Sequence, residues 1–395
     1  MRSRICALAI TLAFVAAGCD SSGGNASPTS QIGAGREDPT TTGDTTPTTS
    51  TTASTSTTLA TTTTAAPPST AAPTTEPPAT TAAPPPPPAP PNTVGAGSTM
   101  AGCPAFPADN YWHADVSALP RLANSDAYIA SIGASAGLKA DFGSGLWDGG
   151  PIGIPFIAVG AGQAKVAVNF DYADESDPGP YPIPSNAPIE GGAQADGDRH
   201  ILVVDASTCY LYELFSAYPA SGGSWNAGSG AIYDLHSNAL RPAGWTSADA
   251  AGLPILPGLV RYDEVAAGVI NHALFYIEKA SGRGPGHVFP AQKGEGSSGA
   301  ANAAPDGTLL QLDPSLNVDA LALSPWEKTV ARALQRYGMY QVDGGGNGPV
   351  IYAENPINRG TDPYAGLPIG MYGNLWFSGA FPWNRMRVLQ PRTSW

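Results

Sequence analysis

The residues of this chain that are best placed to do chemistry lie in an acidic turn that begins at position 171. Asp171, Asp174, Glu175 and Asp177 put four carboxylates within seven residues, and a Pro/Gly-rich segment follows them. Carboxylates this close repel one another unless a cation neutralises them, and Ca²⁺ takes about six to eight oxygens in flexible geometry. The spacing does not match an EF-hand loop, so Asp171, Asp174 and Asp177 are candidate calcium ligands and no more. A solvated turn that caps backbone amides, or a pocket for sugar hydroxyls, fits the same residues.

Histidine and arginine supply a second group of candidates. The chain has five histidines, and none of them sits in HExxH or another close metal-binding spacing. His200 and His272 each enter an apolar, strand-like segment, where a histidine is either a hydrogen-bonded structural group or a general acid or base. Arg261 is followed by Tyr262 and two acids, which suits a clamp for a carboxylate or sugar ring, or else a buried ion pair.

Glycoside hydrolysis needs two carboxylates that face each other across the scissile bond. The sequence does not show which acids converge, and the G-x-S-x-G match that begins at Gly133 is discounted because no helix is predicted after it. The candidates for catalysis are Glu190, His200, Arg261 and His272. The candidates for substrate contact are Asp174, Glu175, Trp245 and Tyr262.

Many short strands must position these residues. The strongest strand signals are residues 200–205 and 209–215, which are rich in β-branched and aromatic residues and predict a hairpin. Further strands are predicted over 153–159, 164–170, 231–235, 271–277, 286–290, 308–312, 339–343 and 350–352. One long helix is predicted after the capping box at Ser324, and short helices are predicted over 126–132 and 262–267. The pattern favours an all-β domain with minor helices, built as a β-sandwich or jelly roll.

The N-terminus predicts export. Two arginines and a short apolar run make residues 1–18 a signal peptide, too short to span a membrane. The run ends in a motif that resembles a bacterial lipobox, which predicts that Cys19 is lipidated and holds the protein on the outer face of the cell membrane. Residues 19–102, rich in Thr, Pro and Ala, predict a disordered tether, and 103–395 a single extracellular domain.

Cysteine usage and charge restrict the environment and the partners. Cys6 lies in the predicted signal peptide and Cys19 in the lipobox, so Cys103 and Cys209 are left to form a disulfide in an oxidising compartment. The formal net charge of the chain is −13, which disfavours nucleic acid and direct binding to an anionic bilayer. The membrane is therefore expected to be contacted only through the lipid anchor.

Several blocks of the domain resemble an uncharacterised family of exported bacterial proteins, mainly actinobacterial. They include DYADESDPGPYPIP and GWTSADAAGLPILPGLVRYDEV, within residues 108–345. The resemblance implies an exported domain associated with the cell wall or with glycans, and it supplies no mechanism.

Together these features favour a cell-surface lipoprotein whose β-rich domain binds or cleaves extracellular carbohydrate. If it is an enzyme, a glycan-active hydrolase or lyase is expected, with no certain cofactor and Ca²⁺ as the one candidate. The alternative is a non-catalytic wall-associated scaffold or glycan-binding module, in which aromatic residues stack on sugar faces. A solute binder with two α/β lobes fits the strand-dominated pattern less well.

Overall fold

A computed structural model describes residues 99–133, 138–141, 146–147, 150–279, 282–345, 349–355, 374–376 and 380–394. The predicted signal peptide, Cys19 and nearly all of the predicted tether lie outside these residues. Within the described ranges, no helix is both long and apolar enough to cross a membrane.

The regular structure of the described residues is mostly strand, with three helices. The strands are β1 (Thr99–Met100), β2 (Cys103–Pro104), β3 (Lys139–Asp141), β4 (Leu146–Trp147), β5 (Gly150–Pro151), β6 (Phe156–Val159), β7 (Val168–Phe170), β8 (Ile201–Asp205), β9 (Tyr210–Phe215), β10 (Tyr218–Pro219), β11 (Trp225–Ala227), β12 (Ser229–Asp234), β13 (Leu274–Glu278), β14 (Leu309–Leu312), β15 (Met339–Gly344), β16 (Val350–Tyr352), β17 (Asn374–Trp376) and β18 (Met386–Val388). The helices are α1 (Ser125–Gly133), α2 (Tyr262–Ala267) and α3 (Pro325–Arg336). The prediction of an all-β domain with minor helices is confirmed at this level.

The two largest sheets are both mixed. The larger sheet has seven strands in the order β17-β3-β16-β13-β15-β14-β18, with β13 parallel to β15. The smaller has four strands in the order β12-β9-β8-β6. Its centre is the predicted hairpin, because β8 and β9 pair antiparallel in register from Ile201 opposite Leu214 to Asp205 opposite Tyr210. A third sheet has the order β10-β11-β7.

Alternation along the strands places a hydrophobic core on each face of both large sheets. Leu202 and Val204 of β8 belong to the same core as Phe275 and Ile277 of β13, so this central core lies between the two sheets. The neighbouring residues point the other way. Ile201 and Val203 face an outer core shared with the three-stranded sheet, and Leu274 and Tyr276 face a core shared with the helices. Each fully buried large side chain stabilises this arrangement by about 1.5–3 kcal/mol.

Helix α3 forms where its capping box predicts. The Glu327 carboxylate accepts hydrogen bonds from the backbone N–H and the hydroxyl of Ser324, both at 2.7 Å. Gly338, with a φ of 74°, takes the left-handed conformation that ends helices without a Cβ clash. Trp326, Val330 and Leu334 are buried on the side that faces the large sheet. The helix covers that sheet and contributes to packing, not to the site described below.

The predicted cysteine pair is present, since the sulfurs of Cys103 and Cys209 lie 2.08 Å apart. The bond joins strand β2 to the loop between β8 and β9. Because the two cysteines are separated by 106 residues, closing this loop stabilises the fold by roughly 4–5 kcal/mol on the chain-entropy model.

Candidate functional site

A small acidic cavity lies where the start of β8, the end of β15 and the long loop before α2 meet. Its volume is about 10 Å³, close to the space that one water molecule needs. The lining residues are Ile154, Asp198, His200, Asp249, Ile255, Phe275, Asp343 and Tyr352. Three carboxyl groups and one imidazole therefore converge on a cavity whose other walls are largely apolar.

Backbone pairing brings these distant segments together. The Ala251 N–H donates to the Val342 carbonyl at 3.1 Å, which holds the loop that carries Asp249 beside the end of β15. Glu213 of β9 anchors the same loop, because its buried carboxylate accepts the backbone N–H groups of Ile255 and Leu256 at 2.9–3.0 Å. Burial raises the pKa of Glu213 to about 7, although these two N–H groups oppose the rise.

His200 is a buried cation in this arrangement. Its Nδ1 lies 2.5 Å from the Glu190 carboxylate and its Nε2 lies 2.9 Å from the Ala248 carbonyl oxygen. Burial alone lowers the pKa of His200, but the charge of Glu190 and the hydrogen bond to it outweigh burial and raise the pKa to about 9. Both ring nitrogens then donate at neutral pH, so His200 has no lone pair to act as a base. It holds the segment after Glu190 in place and puts a positive charge beside the cavity.

Asp249 lies on the buried side of the cavity and is 4% exposed. Its Oδ2 accepts the Ala251 N–H at 3.1 Å, whereas Oδ1 has no hydrogen-bond partner among the described residues. Burial raises its pKa well above the usual range, and the neighbouring carboxylates of Asp343 and Asp306 raise it further. These surroundings favour the protonated form of the Asp249 carboxyl.

Asp343 lies on the solvent side, because 39% of its side chain is exposed. Burial raises its pKa to about 6, and Arg283, at 3.4 Å, opposes the rise. Solvent screens part of this effect, since more than a third of the side chain is exposed. Asp198 is half-buried; burial raises its pKa, and the His200 cation opposes the rise. The cavity thus brings together three carboxyl groups whose pKa values are all raised by burial, and general acid–base chemistry uses groups of this kind.

The four predicted catalytic residues come together as two pairs rather than as one group. Glu190 pairs with His200, which lines the cavity, whereas Arg261 and His272 meet at the Glu264 carboxylate of α2. Arg261 donates to Glu264 Oε1 at 2.7 Å and to the Leu256 carbonyl at 3.1 Å. His272 Nε2 lies 3.1 Å from both Glu264 oxygens. The buried ion pair that the sequence left open for Arg261 is the arrangement observed.

Three of the four predicted substrate contacts lie around the acidic turn. Glu175 pairs with Lys293 at 2.7 Å and accepts the Thr246 N–H at 2.9 Å. Because Trp245 directly precedes Thr246 in the sequence, it also lies near the turn. Asp174 is exposed. Tyr262 lies elsewhere, at the edge of the core shared with the helices, where its N–H donates to Glu354.

Protein cations neutralise part of the acidic turn. Asp177 pairs with Arg241 at 2.5 Å and accepts the Ile232 N–H at 2.9 Å, whereas Asp171 and Asp174 are exposed. The described part of the chain holds no group of three His, Cys, Asp or Glu side chains that is arranged to bind a metal ion. Hydrogen bonds from Ile232, Arg241 and Thr246 join the turn to strand β12 and to the loop after it.

Sequence reasoning missed the carboxyl groups of the cavity, Asp198, Asp249 and Asp343. Asp198 carries a signal, because it stands two residues before His200 at the entry to a strong strand. Asp343 closes a predicted strand, a position where polar side chains reach a sheet edge. Nothing in the sequence pattern shows that these two meet Asp249.

Comparison of the chain with protein-family models, with curated proteins and with solved structures found no match. The resemblance to exported actinobacterial proteins thus stays a prediction, and function must be argued from the site itself.

Proposed function

We propose that the protein is a cell-surface lipoprotein whose β-rich domain hydrolyses neutral extracellular carbohydrate at the acidic cavity. One observation carries the hydrolytic part: Asp198, Asp249 and Asp343 converge on one cavity with raised pKa values. Groups with perturbed pKa values that meet in a cavity are typical of active sites. The proposal includes the lipid anchor at Cys19, the tether to residue 102 and a sandwich formed by the two large sheets around the central core. Incorporation of labelled fatty acid that depends on Cys19 tests the anchor.

The three carboxyl groups suit different parts in the reaction. Asp343, on the solvent side with a pKa of about 6, donates its proton to the glycosidic oxygen as that bond breaks. A cavity of this size holds one water, and this water attacks the anomeric carbon while its proton passes to the Asp198 carboxylate. Burial raises the pKa of Asp198, which makes its carboxylate a better proton acceptor, and the His200 cation opposes this rise. Burial raises the pKa of Asp249 well above its usual range, which favours the protonated form, and the O–H of that form positions the water.

The Asp343→Asn and Asp198→Asn variants test this assignment. Both are isosteric, so the fold is retained, while the release of reducing ends from neutral cell-wall polysaccharides is expected to fall at least about a hundredfold. The wild-type rate is also expected to fall as pH rises above about 6, because Asp343 then loses the proton that it donates. Asp234→Asn, which changes a carboxylate on the surface side of β12, is the matched control.

Three results would contradict the hydrolase proposal. They are wild-type rates in both variants, equal losses in the Asp234→Asn control, and no product from any glycan in the panel. If Arg261→Ala lost activity but kept its full folding stability, the active site would instead be assigned to the cluster of Arg261, Glu264 and His272.

A second candidate function is a non-catalytic glycan-binding or wall-scaffold domain. It is favoured by the size of the cavity, which holds a water molecule but does not enclose a sugar ring. Binding to a glycan array with no product formation would support this function over hydrolysis.

A further inference from the structure

A row of three exposed residues crosses the outer face of the three-stranded sheet. Tyr218 of β10 is directly opposite Asn226 of β11, which is directly opposite Asn169 of β7. All three are exposed, whereas Trp225, the neighbour of Asn226 in β11, is buried in the outer core. Because side chains alternate across a strand, the row, here called the outer row, faces away from the domain.

Arg199 holds the tyrosine of this row in place. Its guanidinium carbon lies 4.1 Å from the centre of the Tyr218 ring, and the arginine is 2% exposed. Arg199 donates to the carbonyl oxygens of Ala217 and Ala195 at 3.1 and 2.7 Å. The Tyr218 ring rests on a fixed cation and is still 42% exposed. An aromatic surface held in this way loses little side-chain entropy when a ligand stacks on it.

The two asparagines are also oriented. Asn169 Nδ2 donates to Asn226 Oδ1 at 3.0 Å across the strands. This bond leaves the Asn169 oxygen as an acceptor and the Asn226 amide nitrogen as a donor, since the described residues form no other side-chain hydrogen bond with either. The row spans ~10 Å at the usual strand spacing.

We propose that the outer row binds an uncharged polysaccharide chain. A sugar ring has an apolar C–H face that stacks on tyrosine, and its hydroxyls both donate and accept, which matches the free amide groups of the asparagines. The row contains no charged side chain, and a chain with a net charge of −13 repels anionic polymers. The site shares only its ligand class with the proposed hydrolase and does not depend on catalysis at the cavity.

Affinity electrophoresis tests this site with the full-length chain in native gels that contain dextran, mannan, arabinogalactan or β-glucan, with alginate as the anionic comparison. At least one neutral polymer is expected to retard the wild type. Tyr218→Ala is expected to weaken binding about tenfold, since a stacked ring contributes about 1.4 kcal/mol. Tyr218→Phe keeps the ring and is expected to bind as the wild type does.

The control is Tyr210→Ala, which removes a tyrosine that is 37% exposed, on β9. If Tyr218→Ala loses its fold, the doubly substituted Asn169→Ala, Asn226→Ala variant decides in its place, with a similar loss expected. Retardation in the gel does not require product formation, so a failed hydrolase proposal leaves this result intact. The proposal is wrong if no neutral polymer retards the wild type, if alginate alone does, or if Tyr218→Ala and Tyr210→Ala behave alike.

Discussion

Two buried histidine–glutamate pairs in this domain have the same composition and opposite properties. His200, just before β8, pairs with Glu190, and His272, shortly before β13, pairs with Glu264 of α2. The pKa of His200 is raised to about 9 because the charge of Glu190 outweighs burial. The pKa of His272 is lowered because burial dominates and the Arg261 cation adds to it, although Glu264 opposes both. The two pairs differ in the other charged groups that surround each glutamate.

At α2, Glu264 is shared. It accepts from the Arg261 guanidinium and caps the Arg261 backbone N–H at 3.3 Å, so its charge is largely balanced before His272 approaches. At β8, His200 lies among acids, with Glu190 at 2.5 Å and Asp198 nearby. The cluster of Arg261, Glu264 and His272, in which the charges balance, connects α2 to the segment before β13. The cluster of Glu190, Asp198 and His200, in which acids are in excess, borders the cavity. An excess of buried carboxyl groups costs stability and supplies protons, which is why the proposed function rests on the second cluster.

Removing the central cation of the balanced cluster should have the largest effect. Arg261→Ala leaves the carboxylate of Glu264 without its guanidinium and removes one of the donors to the Leu256 carbonyl, so the free energy of unfolding is expected to fall by about 3–5 kcal/mol. Urea denaturation followed by tryptophan fluorescence measures it.

The matched control for Arg261 is Arg332→Ala. Arg332 pairs with Asp319, but both side chains are exposed, at 48% and 73%, so a loss below about 1 kcal/mol is expected. Equal losses in the two variants would show that the Arg261 cluster does not stabilise the fold through burial.

Local sequence patterns predicted helices and strands, whereas contacts between distant segments form the acidic cavity. The hairpin of β8 and β9 was predicted from its β-branched and aromatic residues, and α3 from its capping box, because both depend on neighbours in sequence. The strand predicted over 286–290 is wrong. Only a single bridge forms there, between His287 and Asp306, and Pro290 has no N–H to extend a ladder.

Glu190 and His200 form one ion pair, yet their pairing depends on a loop whose path the sequence does not show. Asp198, Asp249 and Asp343 meet only because the loop before α2 pairs with β15 through the hydrogen bond from Ala251 to Val342. A contact between segments about 90 residues apart has no periodic or spacing signal, so this site could not be predicted.

The raised pKa of His200 predicts a loss of stability on the alkaline side. The folded state binds this proton up to about pH 9, whereas the unfolded chain releases it near pH 6.5. The contribution is therefore complete below about pH 6.5 and is lost as pH rises to about 9, by roughly 3 kcal/mol. In His200→Gln, the free energy of unfolding should therefore decrease less between pH 6 and pH 9.5 than in the wild type. Denaturation repeated over this pH range measures the difference.

His236→Gln is the control for His200. That histidine lies 3.6 Å from Asp234, and its side chain is 60% exposed, so this variant removes a histidine without removing a buried ion pair. An unchanged alkaline slope in His200→Gln would show that Glu190 does not hold a charged imidazole.

The smallest effect, and the one of opposite sign, is expected from His272. Its pKa is lowered in the folded state, so below about pH 6.5 the unfolded chain binds a proton that the folded chain does not bind. The free energy of unfolding should therefore fall on acidification. His272→Gln should remove this fall without changing the decrease at alkaline pH that is assigned to His200. The effect is small because the attraction of Glu264 cancels much of the burial that lowers the pKa. Denaturation between pH 4.5 and pH 7 measures the slope. If His272→Gln instead flattened the alkaline limb, the two pairs would share one electrostatic behaviour, and the contrast that assigns catalysis to the cavity beside His200 would be lost.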